Sequence, residues 1–184
     1  MINKSIYHKS DVYEYGHIDP WWGNDHRLLG YVAVNQDQYP NKDHLRIWKE
    51  KGYGFSPTSF GSTYTMAMIM PDFTNPFMTL FNWDHVGLTF YRQYTGDVLP
   101  LHSDYYEKYS QIHGITNKQS ICRCIVFLED WASGHYFEID NNPIIKWKAG
   151  DYVTWQYSVP HLAANMGFDP RYTLQITGIS NEKN

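Results

Sequence analysis

The sequence predicts a mainly β protein whose second half is a jelly roll. Three observations carry this. Eight short runs of strand character follow one another from residue 86: Val86–Tyr94, Leu99–Asp104, Ile121–Leu128, Tyr136–Ile139, Ile144–Trp147, Tyr152–Trp155, His161–Asn165 and Tyr172–Ile179. Turn signals separate them, at Thr95-Gly96-Asp97, Ser133-Gly134, Asn141-Asn142-Pro143, Ala149-Gly150-Asp151 and Gly167 to Pro170. Aromatic residues make up 17% of the chain, and aromatic side chains suit pleated, half-buried surfaces. Eight antiparallel strands without a strong helix between them form two facing sheets.

The first half reads differently. Residues 1 to about 80 are rich in Tyr, Trp, Gly and Pro and are expected to be mostly irregular. One helix is expected over 42–51, where His44, Leu45, Ile47 and Trp48 recur at helical spacing, and a second within Pro71 to Trp83. These segments are expected to cover one sheet. With 184 residues the chain suits a single domain, 1–85 supporting a core at 86–180.

Charge and cysteine content narrow the function. The net charge is −4 and no Lys/Arg-rich run occurs, so nucleic acid is not the expected partner. No stretch approaches 18 apolar residues and the N-terminus is polar, so neither a membrane span nor a secretory signal is expected. Cys122 and Cys124 are too close along one strand for an unstrained disulfide, which suits reduced thiols in the cytoplasm. Residues 105–120, YYEKYSQIHGITNKQS, are too long and polar for a tight hairpin and are expected to form a mobile lid.

The chemistry is expected at His102-Ser103-Asp104. On a strand, i and i+2 share a face, so imidazole and carboxylate can reach one ion. His161, 57 residues after Asp104, supplies a second imidazole from the seventh predicted strand. Two histidines and one carboxylate leave three octahedral positions open, the arrangement of non-haem Fe(II) oxygenases. Arg171 follows ten residues after His161, and Thr173 shares its face. A guanidinium binds the distal carboxylate of a dicarboxylic acid in bidentate fashion, and Thr173 can add a hydroxyl. Pro160 fixes the backbone ahead of His161. Trp155, Trp147 and Phe137 are candidate walls, although core packing alone accounts for them. The other seven histidines, His8, His17, His26, His44, His85, His113 and His135, have no comparable partners in sequence.

In order along the chain stand Tyr94-Thr95-Gly96-Asp97, Leu99-Pro100-Leu101-His102-Ser103-Asp104, Ile125 to Trp131, Gly150-Asp151 ahead of Trp155, Pro160-His161 and Arg171-Tyr172-Thr173. In this order the segment 86–180 resembles the double-stranded β-helix core of the 2-oxoglutarate/Fe(II) oxygenases, in the prolyl hydroxylase-like branch. The resemblance covers about half of the chain and leaves the first 80 residues without a counterpart. It implies iron on His102, Asp104 and His161, the C5 carboxylate of 2-oxoglutarate on Arg171, and Tyr94 near that co-substrate. It further implies O2 as oxidant, ascorbate as an accessory reductant, and hydroxylation of a C–H bond, since halogenating relatives replace the carboxylate that Asp104 retains. Phe127 departs from the pattern, because many prolyl hydroxylases have a tyrosine there. Procollagen-type relatives use Lys where this chain has Arg171, and the second Arg of nucleic-acid demethylases is missing. The implied substrate is a prolyl or other peptide side chain, with a small metabolite as the alternative. The reading from a different class is a non-catalytic cupin-type binding module or cupin-type metalloprotein. Oligomeric state is left open.

Overall fold

The computed structural model describes residues 2–35, 42–52, 57–65 and 71–181, with the backbone alone described for 32–35 and 57–65. Parts of the region read as irregular, 36–41, 53–56 and 66–70, lie outside the described residues.

All eight predicted strands form. They are β5 (Trp83–Gln93), β6 (Val98–His102), β7 (Ile121–Phe127), β8 (His135–Ile139), β9 (Asn142–Ile144), β10 (Asp151–Gln156), β11 (His161–Asn165) and β12 (Arg171–Ser180). They divide between two antiparallel sheets, and the small one has the order β6-β11-β8-β9. Most ends lie within one to three residues of the expectation, and the run at Ile144–Trp147 shifts most. The turn after β8 is Asp140-Asn141, both at positive φ, which is the two-residue hairpin geometry that matches strand twist. That turn moves β9 forward to Asn142, and Lys146, also at positive φ, ends the extended run before Trp147.

The first 80 residues are not simply irregular. They add β1 (Lys4–Lys9), β2 (Tyr13–Ile18), β3 (Val32–Asn35) and β4 (Pro57–Thr65) to the large sheet, giving the order β1-β2-β10-β7-β12-β5-β4-β3. Helix α1 (Lys42–Glu50) lies where helical spacing placed it, with Leu45 and Trp48 buried. Helix α2 is a single turn, Asn75–Met78, preceded by a 3₁₀ turn at Asp72–Thr74. The segment 105–120 is likewise ordered structure: helix α3 (Glu107–His113) and a 3₁₀ turn at Lys118–Ser120. Gly114, at φ 65°, closes α3 in the left-handed conformation. Tyr106 is buried, and the Tyr109 hydroxyl donates to the His85 carbonyl at 2.8 Å.

Two apolar cores follow from the parity of the large sheet. On one face Leu88, Phe90, Cys124, Val126, Tyr152, Leu174 and Ile176 pack against Ile18, Trp22, Phe77, Met78 and Phe81, so the first half does cover a sheet. On the other, Ile125, Phe127, Val153 and Trp155 meet Phe137, Ile139 and Ala163 of the small sheet, with Ile144 and Trp147. Strand β7 is buried on both faces and therefore reads as a nearly continuous apolar run. No described helix is long and apolar enough to cross a membrane.

Gly16 shows how tightly β2 joins this sheet. It pairs with Ile6 on one side and Tyr152 on the other. A methyl group there would lie 2.3 Å from the Ser5 carbonyl oxygen and 2.6 Å from the Tyr152 hydroxyl. Gly16→Ala is expected to destabilise the protein by about 1–3 kcal/mol through this overlap, read as a lower urea midpoint at unchanged slope.

Candidate metal centre

The centre is built from a cross-strand pair in the small sheet. His161 of β11 stands directly opposite His102 of β6, and their rings are 4.3 Å apart between centroids. Asp104 lies two residues beyond the end of β6. Its Oδ1 is 3.9 Å from His102 Nε2, and its Oδ2 is 3.5 Å from His161 Nε2. All three ligand atoms fall within 4.8 Å of one another, forming the one such cluster among the described residues.

Both imidazoles are held the same way. His102 Nδ1 is 2.8 Å from the Pro100 carbonyl and His161 Nδ1 is 3.0 Å from the Val159 carbonyl. A carbonyl can only accept, so each Nδ1 carries the proton and each Nε2 presents a lone pair toward Asp104. This outer hydrogen bond is the usual means of aiming a metal-binding histidine. Pro160 contributes through its carbonyl, which accepts from the Asp140 N–H at 2.9 Å where the chain enters β11.

Electrostatics favour a cation. Burial, reinforced by His161, pushes His102 down to about 3, and burial lowers His161 as well. Burial works against ionised Asp104, but Arg123 and the two histidines hold its carboxyl at about 2. Two neutral imidazoles and one carboxylate therefore face each other at neutral pH. This donor set fits a divalent first-row metal such as Fe(II).

The centre opens into a pocket between the sheets with about 660 Å³ of empty space, its open mouth included. Arg171 lies at its far end, on β12 opposite Gln93. It is buried, and its Nη1 donates to Gln93 Oε1 at 2.5 Å. Its Nε has no hydrogen-bond partner among the described residues. The rings of Trp147, Phe127 and Phe137 stand 5.4, 5.7 and 5.9 Å from its guanidinium carbon. No described carboxylate is within ion-pair distance, and burial alone pulls Arg171 down to about 9. The neighbouring Asp169 gives no ion pair; its carbonyl accepts from Asn165 and contacts His135. Thr173 is buried on the same pocket face.

The structure thus brings together His102, Asp104, His161, Arg171 and Thr173, and leaves Tyr94 out. Tyr94 is 46% exposed and stacks with Arg92 at 4.6 Å. Alternation explains the correction: Tyr91 and Gln93 point into the pocket, and Tyr94 falls on the opposite parity where β5 turns toward Gly96. Four polar pocket residues escaped the sequence reading: Tyr91, Gln93, Arg123 and Gln175. Gln175 follows Arg171 and Thr173 at i+4 on one strand face, and Arg123 interrupts an apolar run; both signals were available. Trp155, Trp147 and Phe137 belong to the inner core and also wall the site: Trp155 lies 4.9 Å from the His161 ring. Several other histidines do have partners. His26 and His17 contact Glu129 and Asp151, each at 2.8 Å, and the His44 ring lies 6.3 Å from that of His102.

No protein-family model matches the chain, and no curated protein matches it. Among solved structures, a Pseudomonas putida prolyl-4-hydroxylase is similar over 86% of this chain and 97% of its own, with 10% identity and a TM-score of 0.51. A cupin protein from Bacteroides fragilis is similar over 57% and 73%, with 13% identity and a TM-score of 0.39. A predicted oxalate decarboxylase from Thermotoga maritima covers 66% and 82%, with 11% identity and a TM-score of 0.39. At 10% identity the likeness to the hydroxylase concerns the fold alone, and it agrees with the two sheets of a double-stranded β-helix.

The lowered histidines set a pH dependence for the metal-free protein. Between pH 6.5 and about 3 the unfolded chain binds protons that folded His102 does not, so stability falls as pH drops through that window. The lowering of His161 acts in the same sense. Replacing His102 with Asn is expected to flatten the slope by up to ~1.4 kcal/mol per pH unit in denaturation measured from pH 6.5 to 4. His102→Ala and His161→Ala should each abolish stoichiometric Fe(II) binding in anaerobic titration; wild-type affinity in either would remove that residue from the ligand set.

Proposed function

We propose that this protein is an Fe(II)- and 2-oxoglutarate-dependent oxygenase that hydroxylates a C–H bond. One observation carries the reading: a buried guanidinium without a described carboxylate partner lies at the far end of the pocket that holds the His102, Asp104 and His161 cluster. A buried charge is costly unless paired. A dicarboxylic acid that reaches from the metal to Arg171 supplies the missing counter-charge and occupies metal positions that the three protein ligands leave open.

The chain's own residues have distinct tasks in this reading. His102, Asp104 and His161 hold the metal on one face. Arg171, oriented by Gln93, anchors the distal carboxylate, and the Thr173 hydroxyl is a second donor on that face. Gln93 and Thr173 supply polar contacts at the position where Phe127 lacks a hydroxyl. Phe127 instead stacks on Trp147 at 4.0 Å and keeps water from the guanidinium. Fixing the far end gives the keto acid one orientation at the metal. Bound there, iron and 2-oxoglutarate supply, with O2, the oxidising power for hydroxylation. Asp104 fills the position that a halogenating centre leaves to halide. The chain's likeness in fold to a prolyl-4-hydroxylase is compatible with a peptide substrate, and a small metabolite would enter by the same mouth.

Truncating one partner of a buried charge pair costs on the order of 2–5 kcal/mol. Arg171→Ala is therefore expected to raise the Kd of 2-oxoglutarate well over tenfold in anaerobic calorimetry while Fe(II) still binds. An unchanged Kd would remove Arg171 from the site and with it the main support for this function.

A further inference from the structure

Two histidines outside the pocket face each other where α3 meets β5. The rings of His85 and His113 are 4.7 Å apart between centroids, close to the 4.3 Å that separates His102 and His161. Among the described residues, none hydrogen-bonds to a ring nitrogen of either histidine. Burial, reinforced by His85, lowers the pKa of His113, which favours the neutral ring with a lone pair to offer.

The backbone is bent to bring these rings together. Where β12 pairs with β5, Thr177 stands opposite Gly87 but Ile179 stands opposite Asp84, so His85 and Val86 share Gly178 as their partner. Such a β-bulge re-aims a side chain. His85 sits in it at φ 52°, in the left-handed region, which costs a residue with a Cβ on the order of 1–2 kcal/mol. His85 is exposed and His113 half-buried, so core packing does not offset this strain. Backbone strain of this kind gathers at ligand clamps. Tyr109, one turn before His113, fixes the pair: its ring lies 4.6 Å from that of His113, and its hydroxyl donates to the His85 carbonyl at 2.8 Å.

We infer that His85 and His113 form a second metal site, for a late first-row divalent ion such as Zn(II), which ties the end of α3 to β5. Imidazole suits Zn(II), Cu(II) and Ni(II), and two neutral rings without a carboxylate hold Fe(II) less well. Two protein ligands leave the other positions to water, so the ion is exchangeable, unlike a closed structural zinc. Its effect follows from what α3 carries. The helix begins beside Tyr106, whose ring covers Arg123, the partner of Asp104. An ion at the other end of the helix stiffens the segment that starts at Asp104.

The test is Zn(II) uptake by metal-stripped protein, measured by equilibrium dialysis at neutral pH. His102→Ala removes a ligand of the central cluster and is expected to hold one Zn(II) per chain. Adding His113→Asn or His85→Asn should weaken that ion by at least about tenfold, the least that loss of even an outer-shell partner costs. Asparagine also adopts the left-handed backbone, so the bulge at 85 is kept. Should His85→Asn not fold, His113→Asn decides alone, because position 113 is ordinary helix. Tyr109→Phe keeps both rings but loses the bond to the His85 carbonyl and should weaken the ion about threefold. His8→Asn, which replaces another exposed histidine, should leave it in place. Hydrogen exchange gives a second readout: Zn(II) should slow the amides of 107–113 in His102→Ala and leave them unchanged once His85→Asn is added. The inference is overturned if His102→Ala holds no Zn(II), if its ion survives both asparagine substitutions, or if Zn(II) leaves exchange over 107–113 unchanged. None of these outcomes depends on what the central cluster binds.

Discussion

The site depends on keeping the guanidinium of Arg171 out of water without a carboxylate beside it. Removing an ion from water costs several kcal/mol even after relaxation. The fold offsets part of this with the Gln93 hydrogen bond and with three ring faces, each worth up to about 2 kcal/mol when desolvated. The offset is incomplete, since burial still pulls Arg171 down to about 9 and leaves Nε without a partner. The strain has a structural cause. Arg171 opens β12, between β5 and β7, on the face that looks into the barrel. It cannot turn outward without reversing the parity of a strand that also buries Leu174 and Ile176 on the opposite face. The packing of the outer core thus holds the cation inward, where an anionic ligand would complete its pairing.

Parity also explains what could be read from the sequence. The eight strands of the barrel were legible because each buries at least one face, which imposes a pattern on the residues. The triad was legible because its spacing matched a strand end followed by a later strand, and Arg171 because it follows at a fixed interval. The strands β1 and β4 were not. Every residue of β1 is exposed, so Lys4–Lys9 needs no apolar rhythm, and β4, PTSFGSTYT, is mostly polar. Such strands are defined by backbone pairing to a neighbour, which leaves little trace in side-chain choice. Tyr94 failed for the opposite reason. A family likeness supplied a residue type near the right place, while the alternation of β5 assigned the pocket to Tyr91 and Gln93. Arg123 was passed over although a charged residue inside ICRCIVF is the kind of exception that asks for a partner.

The segment 105–120 shows how composition misleads about burial. Its tyrosines were expected to make a polar lid, yet Tyr106 is buried against Arg123 and Tyr157. Tyr106 pays for this with a left-handed backbone at φ 54°, a strain kept where surrounding contacts over-determine the conformation. The contacts are those of the site itself: the ring covers Arg123, which grips Asp104, which begins the segment. Helix α3 is accordingly anchored to the metal centre at its first turn.

Parts outside the barrel pack around His102. Trp48 of α1 donates from Nε1 to the Leu101 carbonyl at 3.2 Å, one residue before His102, and meets the His102 ring edge-on at 6.0 Å. His44, one turn earlier, lies 5.4 Å from Tyr105, a contact between α1 and the start of the α3 segment. Chemistry and selection are therefore built differently. The candidate metal ligands and Arg171 come from the barrel strands and the residue just past one, which fix their directions by register. The residues packed around His102 come from a helix in the first half and from the connection after Asp104, which barrel register does not constrain. Arg123 and Gln175 stand between these two regimes, on rigid strands yet facing the end of the pocket where α3 begins. Their directions at the pocket wall are thus set with the precision of the sheet.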